Sequence, residues 1–281
     1  MNLKCIEQYR SFDGWQKKYS HYSQALQCEM KFSLYLPENP ENKKVPLIWW
    51  LSGLTCTDDN FTQKSGFQRL AAQHQVAVVI PDTSPRGATV ADDASYDLGQ
   101  GASFYLDATQ EPWNENFKMY TYIVDELSTI VKELVPEFSG NEGIMGHSMG
   151  GYGALMIGLK NLQRFKAISA FSPILNPTGV PWGIKAFTNY LGADKKAWQD
   201  WDPVQLVKKD NIVPILITQG TADQFYQEQL SEVAFLESAK KHDEYFINYR
   251  SLPDYDHSYF FIASLLEEHF AFHVIYAKHL A

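Results

Sequence analysis

Cysteine is scarce in this chain of 281 residues: Cys5, Cys28 and Cys56 are the only three, widely spaced and odd in number. That argues against a disulfide framework, and the lack of C-x-x-C spacing argues against a structural zinc site. Basic charge is short too, with 24 Lys and Arg against 33 Asp and Glu and a net charge of −9. The lysines are scattered and form no stripe, so no nucleic-acid partner is expected. No run approaches the roughly 18 residues of a membrane span. The opening Met1-Asn2-Leu3-Lys4-Cys5-Ile6-Glu7 lacks the apolar core of a signal peptide. A cytoplasmic protein with no membrane partner is the expectation. Repeats, composition shifts and low-complexity linkers are also missing, so residues 1–281 are expected to form a single domain.

What is present is an ordinary globular balance, 45% apolar and 20% charged, enough for a large core. Strand-like runs fall at Met30–Leu36, Leu47–Ser52, Val76–Ile80, Gly143–His147, Ala167–Phe171, Pro214–Gln219 and Tyr245–Arg250. Several are continuously apolar, and helical stretches such as 116–134 and 259–277 separate them. Parallel strands covered on both faces have this pattern, so the class is α/β. Residues 176–212, with Pro177, Pro181, Trp182, Trp198 and Trp201, break the alternation and read as an excursion over the sheet's C-terminal edge, where ligands of such sheets bind.

The segment with the most chemical content is Gly146-His147-Ser148-Met149-Gly150. A G-x-S-x-G pentapeptide between a strand and a helix presents its serine on a strained turn, with glycine where a side chain would strike neighbouring backbone. Three fixed positions match by chance in roughly one chain in ten of this length, so context decides. Ile144 and Met145 supply the buried strand. Gly150, Gly151, Gly153, Ala154 and Gly158 supply a helix of small residues suited to close approach on a sheet.

A serine hydroxyl needs a base, and the base needs an orienting acid. Of eight histidines, His21 and His74 precede the serine and His147 adjoins it; His242 lies in a charged helical stretch, and His269, His273 and His279 ride the last helix. His257 follows a strand-like segment in the polar loop Pro253-Asp254-Tyr255-Asp256-His257-Ser258, so it is the expected base. Asp223, in the turn Gly220-Thr221-Ala222-Asp223-Gln224 after a strand, is the expected acid. Asp254 and Asp256 are rivals that lie too close to His257 in the chain to follow the preceding strand. The order serine, aspartate, histidine is that of α/β-hydrolases. Oxyanion donors are then the backbone N–H of Met149 and, leaving an apolar strand through Gly53, that of Leu54. No metal or organic cofactor is called for.

At this level of detail the chain resembles the S-formylglutathione hydrolase, or esterase D, family. The matching segments are Leu51-Ser52-Gly53-Leu54-Thr55-Cys56-Thr57, Pro81-Asp82-Thr83-Ser84-Pro85-Arg86-Gly87, Gly146 to Gly151, Pro181-Trp182-Gly183-Ile184-Lys185-Ala186-Phe187 and Tyr255-Asp256-His257-Ser258-Tyr259. The resemblance implies an α/β-hydrolase fold, a homodimeric cytosolic enzyme, and a small-molecule glutathione thioester as substrate, hydrolysed through Ser148, Asp223 and His257. A general carboxylesterase or acyltransferase with the same triad is the alternative. Tyr152, where relatives often carry histidine, and Ser103, where glycine is usual, depart from the pattern. For an anionic glutathione arm on an acidic protein, Lys185 and Arg86 are the expected docking cations, and Trp182 the expected apolar wall. Cys56, two residues past Leu54, is expected beside the nucleophile as a non-catalytic thiol.

Overall fold

The run Val45–Leu51 is buried at every position because both of its faces are covered. Leu47, Trp49 and Leu51 point into the larger core. Ile48 and Trp50 point into a second core on the opposite face. The two-residue period of a strand thus sorts one apolar run between two layers. This strand is β4 of nine in a computed structural model that describes residues 2–207, 213–240 and 247–279.

The strands are β1 (Lys4–Ser11), β2 (Gly14–Ser23), β3 (Cys28–Leu36), β4 (Val45–Leu51), β5 (Ala77–Pro81), β6 (Phe138–His147), β7 (Phe165–Phe171), β8 (Ile215–Gly220) and β9 (Ile247–Leu252). They form one sheet in the order β1-β2-β3-β5-β4-β6-β7-β8-β9. Pairings from β5 through β9 are parallel, whereas β1, β2 and β3 join antiparallel at one side. With helices on both faces this is an α/β-hydrolase fold.

Each of the seven expected strands is present with ends shifted by a few residues; residues 245–246 of the last lie outside the described residues. Two strands went unread. β1 is exposed along nearly its whole length and holds to the sheet only through β2, so no core burial marks its sequence. β2 mixes buried polar positions such as Gln16, Lys18 and His21 with its apolar ones, which blurs the alternation. The stretch 116–134 is not one regular helix: a six-residue π segment, Tyr122–Leu127, separates Met119–Thr121 from Ser128–Leu134.

The described part of the excursion, 176–207, is largely helical, with Pro181–Leu191 its longest element. It is tied down at both ends of that helix. The Tyr190 hydroxyl accepts from Gly99 N–H at 2.8 Å and donates to Ala102 O at 2.9 Å, and Trp182 N–H donates to Gln229 Oε1 at 3.0 Å.

The last helix, Tyr259–His279, corrects one expectation. By length and composition its first 19 residues, Tyr259–Ala277, are long and apolar enough to cross a membrane, with a mean hydropathy of 1.2. In the fold this helix packs on the sheet, with Phe261, Ile262, Leu266 and Phe270 joining the second core. It also carries two fully buried histidines. His269 Nδ1 and His273 Nε2 each lie 2.9 Å from Ser169 Oγ, and His269 Nε2 lies 3.1 Å from Thr218 Oγ1. Burial holds both rings well below the usual imidazole pKa, His273 at about 3. Of the other expected helical histidines, His242 lies outside the described residues.

Candidate active site

At the end of β6 the chain turns sharply into the helix Met149–Lys160, and the turning residue is Ser148, at φ 59° and ψ −120°. A non-glycine residue in that region costs on the order of 1–3 kcal/mol and persists only when its surroundings over-determine it. They do so here. Ser148 N–H donates to Phe171 O at 3.0 Å, and Ser148 O accepts from Tyr152 N–H at 3.0 Å. The flanking glycines let the elbow close on β4: a Cβ at Gly150 would fall 2.0 Å from Leu51 O, and one at Gly146 would fall 2.2 Å from Gly150 O. The helix then lies directly against the sheet, buried from Met149 to Leu159.

β8 ends at Gly220, and the turn beyond it delivers Asp223, which is 5% exposed. Its Oδ2 lies 2.6 Å from His257 Nδ1, while Oδ1 accepts from Phe225 N–H at 2.9 Å. Burial pushes the carboxyl upward, but the hydrogen bond and charge of His257 and the Phe225 N–H more than offset it, and the group sits below the usual carboxylate range. This pair fixes the His257 tautomer with Nε2 facing away from the acid. Neither rival hydrogen-bonds the His257 ring, whose Nδ1 is taken by Asp223. Asp256 Oδ1 accepts from Ser258 N–H and its hydroxyl at 3.0 and 2.6 Å. Asp254 sits in a turn at φ 66°, its N–H donating to Thr221 Oγ1.

The His257 ring is held between two others. His147 lies with its ring centroid 4.4 Å away and Phe225 at 5.0 Å, nearly perpendicular. Burial, and then the charge of His257, keep His147 well below the usual imidazole range, so it backs the base as a neutral ring. Sequence reasoning left His147 without a role.

The loop after β4 closes the other side. A Cβ at Gly53 would fall 3.1 Å from Ser148 Cβ, so the loop rests on the nucleophile's own stem. Thr55 is held at φ 67° by its N–H donating to Gly101 O at 2.9 Å. Between these two fixed points the Leu54 N–H meets no acceptor among the described residues. Met149 is the first residue of the helix that follows Ser148.

These parts line one cavity of about 320 Å³, which Leu54, Cys56, His147, Ser148, Trp182 and His257 share with Lys64, Tyr96, Phe225 and Tyr259. Trp182 is where the sequence placed it, an apolar wall packed on Phe225 at 4.8 Å, with its Nε1 donating to Tyr96 Oη. The two expected docking cations are not in the cavity. Lys185 donates to Asp97 at 2.5 Å and to Ser95 Oγ at 2.8 Å. The Arg86 guanidinium pairs with both oxygens of Asp82 at 3.0 Å and donates to Cys56 O at 2.9 Å, in a separate depression with Lys18 and Asp58. It braces the loop after β4 through the Cys56 carbonyl. The two departures from the family pattern are also structural joints: Tyr152 Oη donates to Trp201 O at 2.9 Å, joining elbow helix to excursion, and Ser103 Oγ donates to Thr83 O at 2.5 Å.

Cys56 lines the cavity, but burial raises its thiol, and Lys64 and Tyr259 offset that only in part. A thiol held protonated is a poor nucleophile. Cys56→Ser is therefore expected to keep kcat/KM within about threefold, since side-chain volume is nearly conserved and no charge is lost. Bulky thiol reagents are expected to slow the native enzyme and spare the variant; a thousandfold loss in Cys56→Ser would make the sulfur part of the chemistry.

A strained serine at a strand-to-helix elbow, a histidine paired with a buried aspartate, and backbone donors beside them define a serine hydrolase of the α/β-hydrolase fold. The Esterase family model matches residues 23–272. The S-formylglutathione hydrolase of Agrobacterium tumefaciens is 41% identical, with 99% of this chain and all of that one covered at a TM-score of 0.94. The chain belongs to the Esterase family and, within it, to the S-formylglutathione hydrolase group. More distant structures share the fold: a ferulic acid esterase from Anaeromyces mucronatus at 19% identity and TM-score 0.66, covering 98% and 93% of the two chains, and an S-formylglutathione hydrolase from Staphylococcus aureus at 18% and 0.67, covering 98% and 100%.

Proposed function

We propose that this enzyme hydrolyses S-formylglutathione to formate and glutathione through Ser148, His257 and Asp223, with the oxyanion held by the N–H groups of Leu54 and Met149. The observation that carries the chemistry is the single cavity into which Ser148 and the Asp223-paired His257 both open. The 41% identity to the Agrobacterium tumefaciens enzyme over 99% of the chain supports the substrate.

In the first half-reaction His257 Nε2 accepts the hydroxyl proton as Ser148 Oγ bonds to the thioester carbon. The C–O π electrons move onto oxygen, facing the two N–H donors, and return as the C–S bond breaks. The thiolate leaves easily and takes up the proton that His257 holds. In the second, His257 deprotonates water, which attacks the formyl-enzyme; formate departs and the proton returns to Ser148. Asp223 keeps its charge throughout and stabilises the imidazolium. One continuous sheet from β1 to β9 supports reading the chain as one domain, and a cytoplasmic homodimer is the corresponding cellular form.

The test is kcat/KM on S-formylglutathione against S-acetyl- and S-lactoylglutathione and p-nitrophenyl acetate. A site shaped for the formyl group is expected to favour it over acetyl by about 10- to 200-fold, the usual effect of one extra carbon in a closed pocket. Equal or higher values on the larger acyl groups or the simple ester would favour the general carboxylesterase.

A further inference from the structure

We propose that Lys64 docks a free carboxylate of the substrate's thiol arm and so sets the preference for a glutathione thioester over a neutral ester; this rests on the function proposed above. Glutathione has two carboxylates beyond its sulfur, and a protein of net charge −9 repels both. The cavity reverses that balance locally. Its lining contains no aspartate or glutamate, and Lys64 is the one lysine or arginine in it.

The other cations near the sheet edge are neutralised where they stand, Lys185 by Asp97 and Arg86 by Asp82. Lys64 has no carboxylate within 4.0 Å among the described residues. Its ammonium instead lies 5.6 Å over the Tyr259 ring, which orients it without cancelling its charge. Position strengthens the assignment. Lys64 lines both the cavity holding Ser148 and an outer apolar depression formed with Ser258, Tyr259, Phe260 and Ala263. A ligand whose acyl end reaches Ser148 and whose thiol arm runs outward along this depression passes the ammonium. Asn60, one turn earlier on the same short helix, also lines the cavity, adding a neutral polar group beside the cation.

The experiment is steady-state kinetics of the full-length enzyme and of Lys64→Ala and Lys64→Arg on S-formylglutathione and on p-nitrophenyl acetate. In Lys64→Ala the ratio of KM for the thioester to KM for the neutral ester is expected to rise about tenfold, the usual worth of a hydrogen bond to a charged group, with kcat for the thioester little changed. Lys64→Arg is expected to restore most of the ratio. Raising salt from 0.05 to about 0.5 M is expected to raise KM for the thioester in the native enzyme and to have much less effect in Lys64→Ala. A ratio unchanged in Lys64→Ala, or an equal rise for both substrates, overturns the role of Lys64. A native enzyme that fails to prefer S-formylglutathione at all overturns the function it rests on, so the two failures read differently.

Discussion

Ser148→Ala is expected to lower kcat by on the order of 10⁵- to 10⁶-fold, the loss seen when a triad serine is removed and only binding and oxyanion donors remain. The reasoning is local. Ser148 lines one cavity with His257, and the Gly53 loop rests against its Cβ. The substitution deletes that oxygen and keeps Cβ, so the contact with Gly53 and the backbone bonds to Phe171 and from Tyr152 survive. The melting temperature is therefore expected to stay near that of the native enzyme, which separates lost chemistry from lost fold. Residual activity within a hundredfold of native, in a preparation shown free of native enzyme, would remove Ser148 from the mechanism.

The second large effect concerns stability in acid. His273 is held neutral in the fold with its pKa at about 3, against about 6.5 when the chain is unfolded. The folded state thus binds fewer protons than the unfolded state between those values. Stability from this group is complete above about pH 6.5 and is lost as pH falls toward 3. At pH 5 the loss is about 2 kcal/mol, from roughly 1.4 kcal/mol per pH unit. His269, His147 and His21, each shifted downward by burial first, act in the same direction. The raised carboxyls of Asp58, Asp82 and Asp202 act in the opposite one. A comparison isolates His273: in urea unfolding at pH 5 and 7.5, His273→Gln is expected to gain about 2 kcal/mol relative to the native enzyme at the lower pH. Parallel stability curves for the two proteins would mean that His273 is protonated in the fold.

The elbow was legible because its glycines answer to backbone contacts only a few residues away or across one strand pair, and those contacts leave a fixed spacing in sequence. Asp223 and His257 were legible from chain order, since each follows the end of a parallel strand. The neutralisation of Lys185 was not. Lys185 looks free in sequence, and its neutralising partner emerges only when the chain folds: Asp97 is 88 residues away. Arg86 had a nearer signal, Asp82 four residues before it, the spacing of a local ion pair. Lys64 reaches the cavity because a capped helix of seven residues, Asp58–Lys64, starts immediately after the oxyanion loop. Its capping box, Thr57 with Asn60, is readable in sequence, but its seat on the sheet, where Trp50 stacks on Phe61 at 3.7 Å, is a tertiary contact. The edge pair β1 and β2 escaped for a different reason, since strands that bury little leave little periodicity.

The helix Tyr259–His279 also ties the loop of His257 to the sheet. It begins two residues beyond His257, and its buried histidines close against Ser169 on β7 and Thr218 on β8, the second of which is the strand that leads to Asp223. The loop that carries His257 therefore runs straight into a helix clamped by polar contacts to two strands of the sheet, and the strand it meets at Thr218 is the one that delivers Asp223.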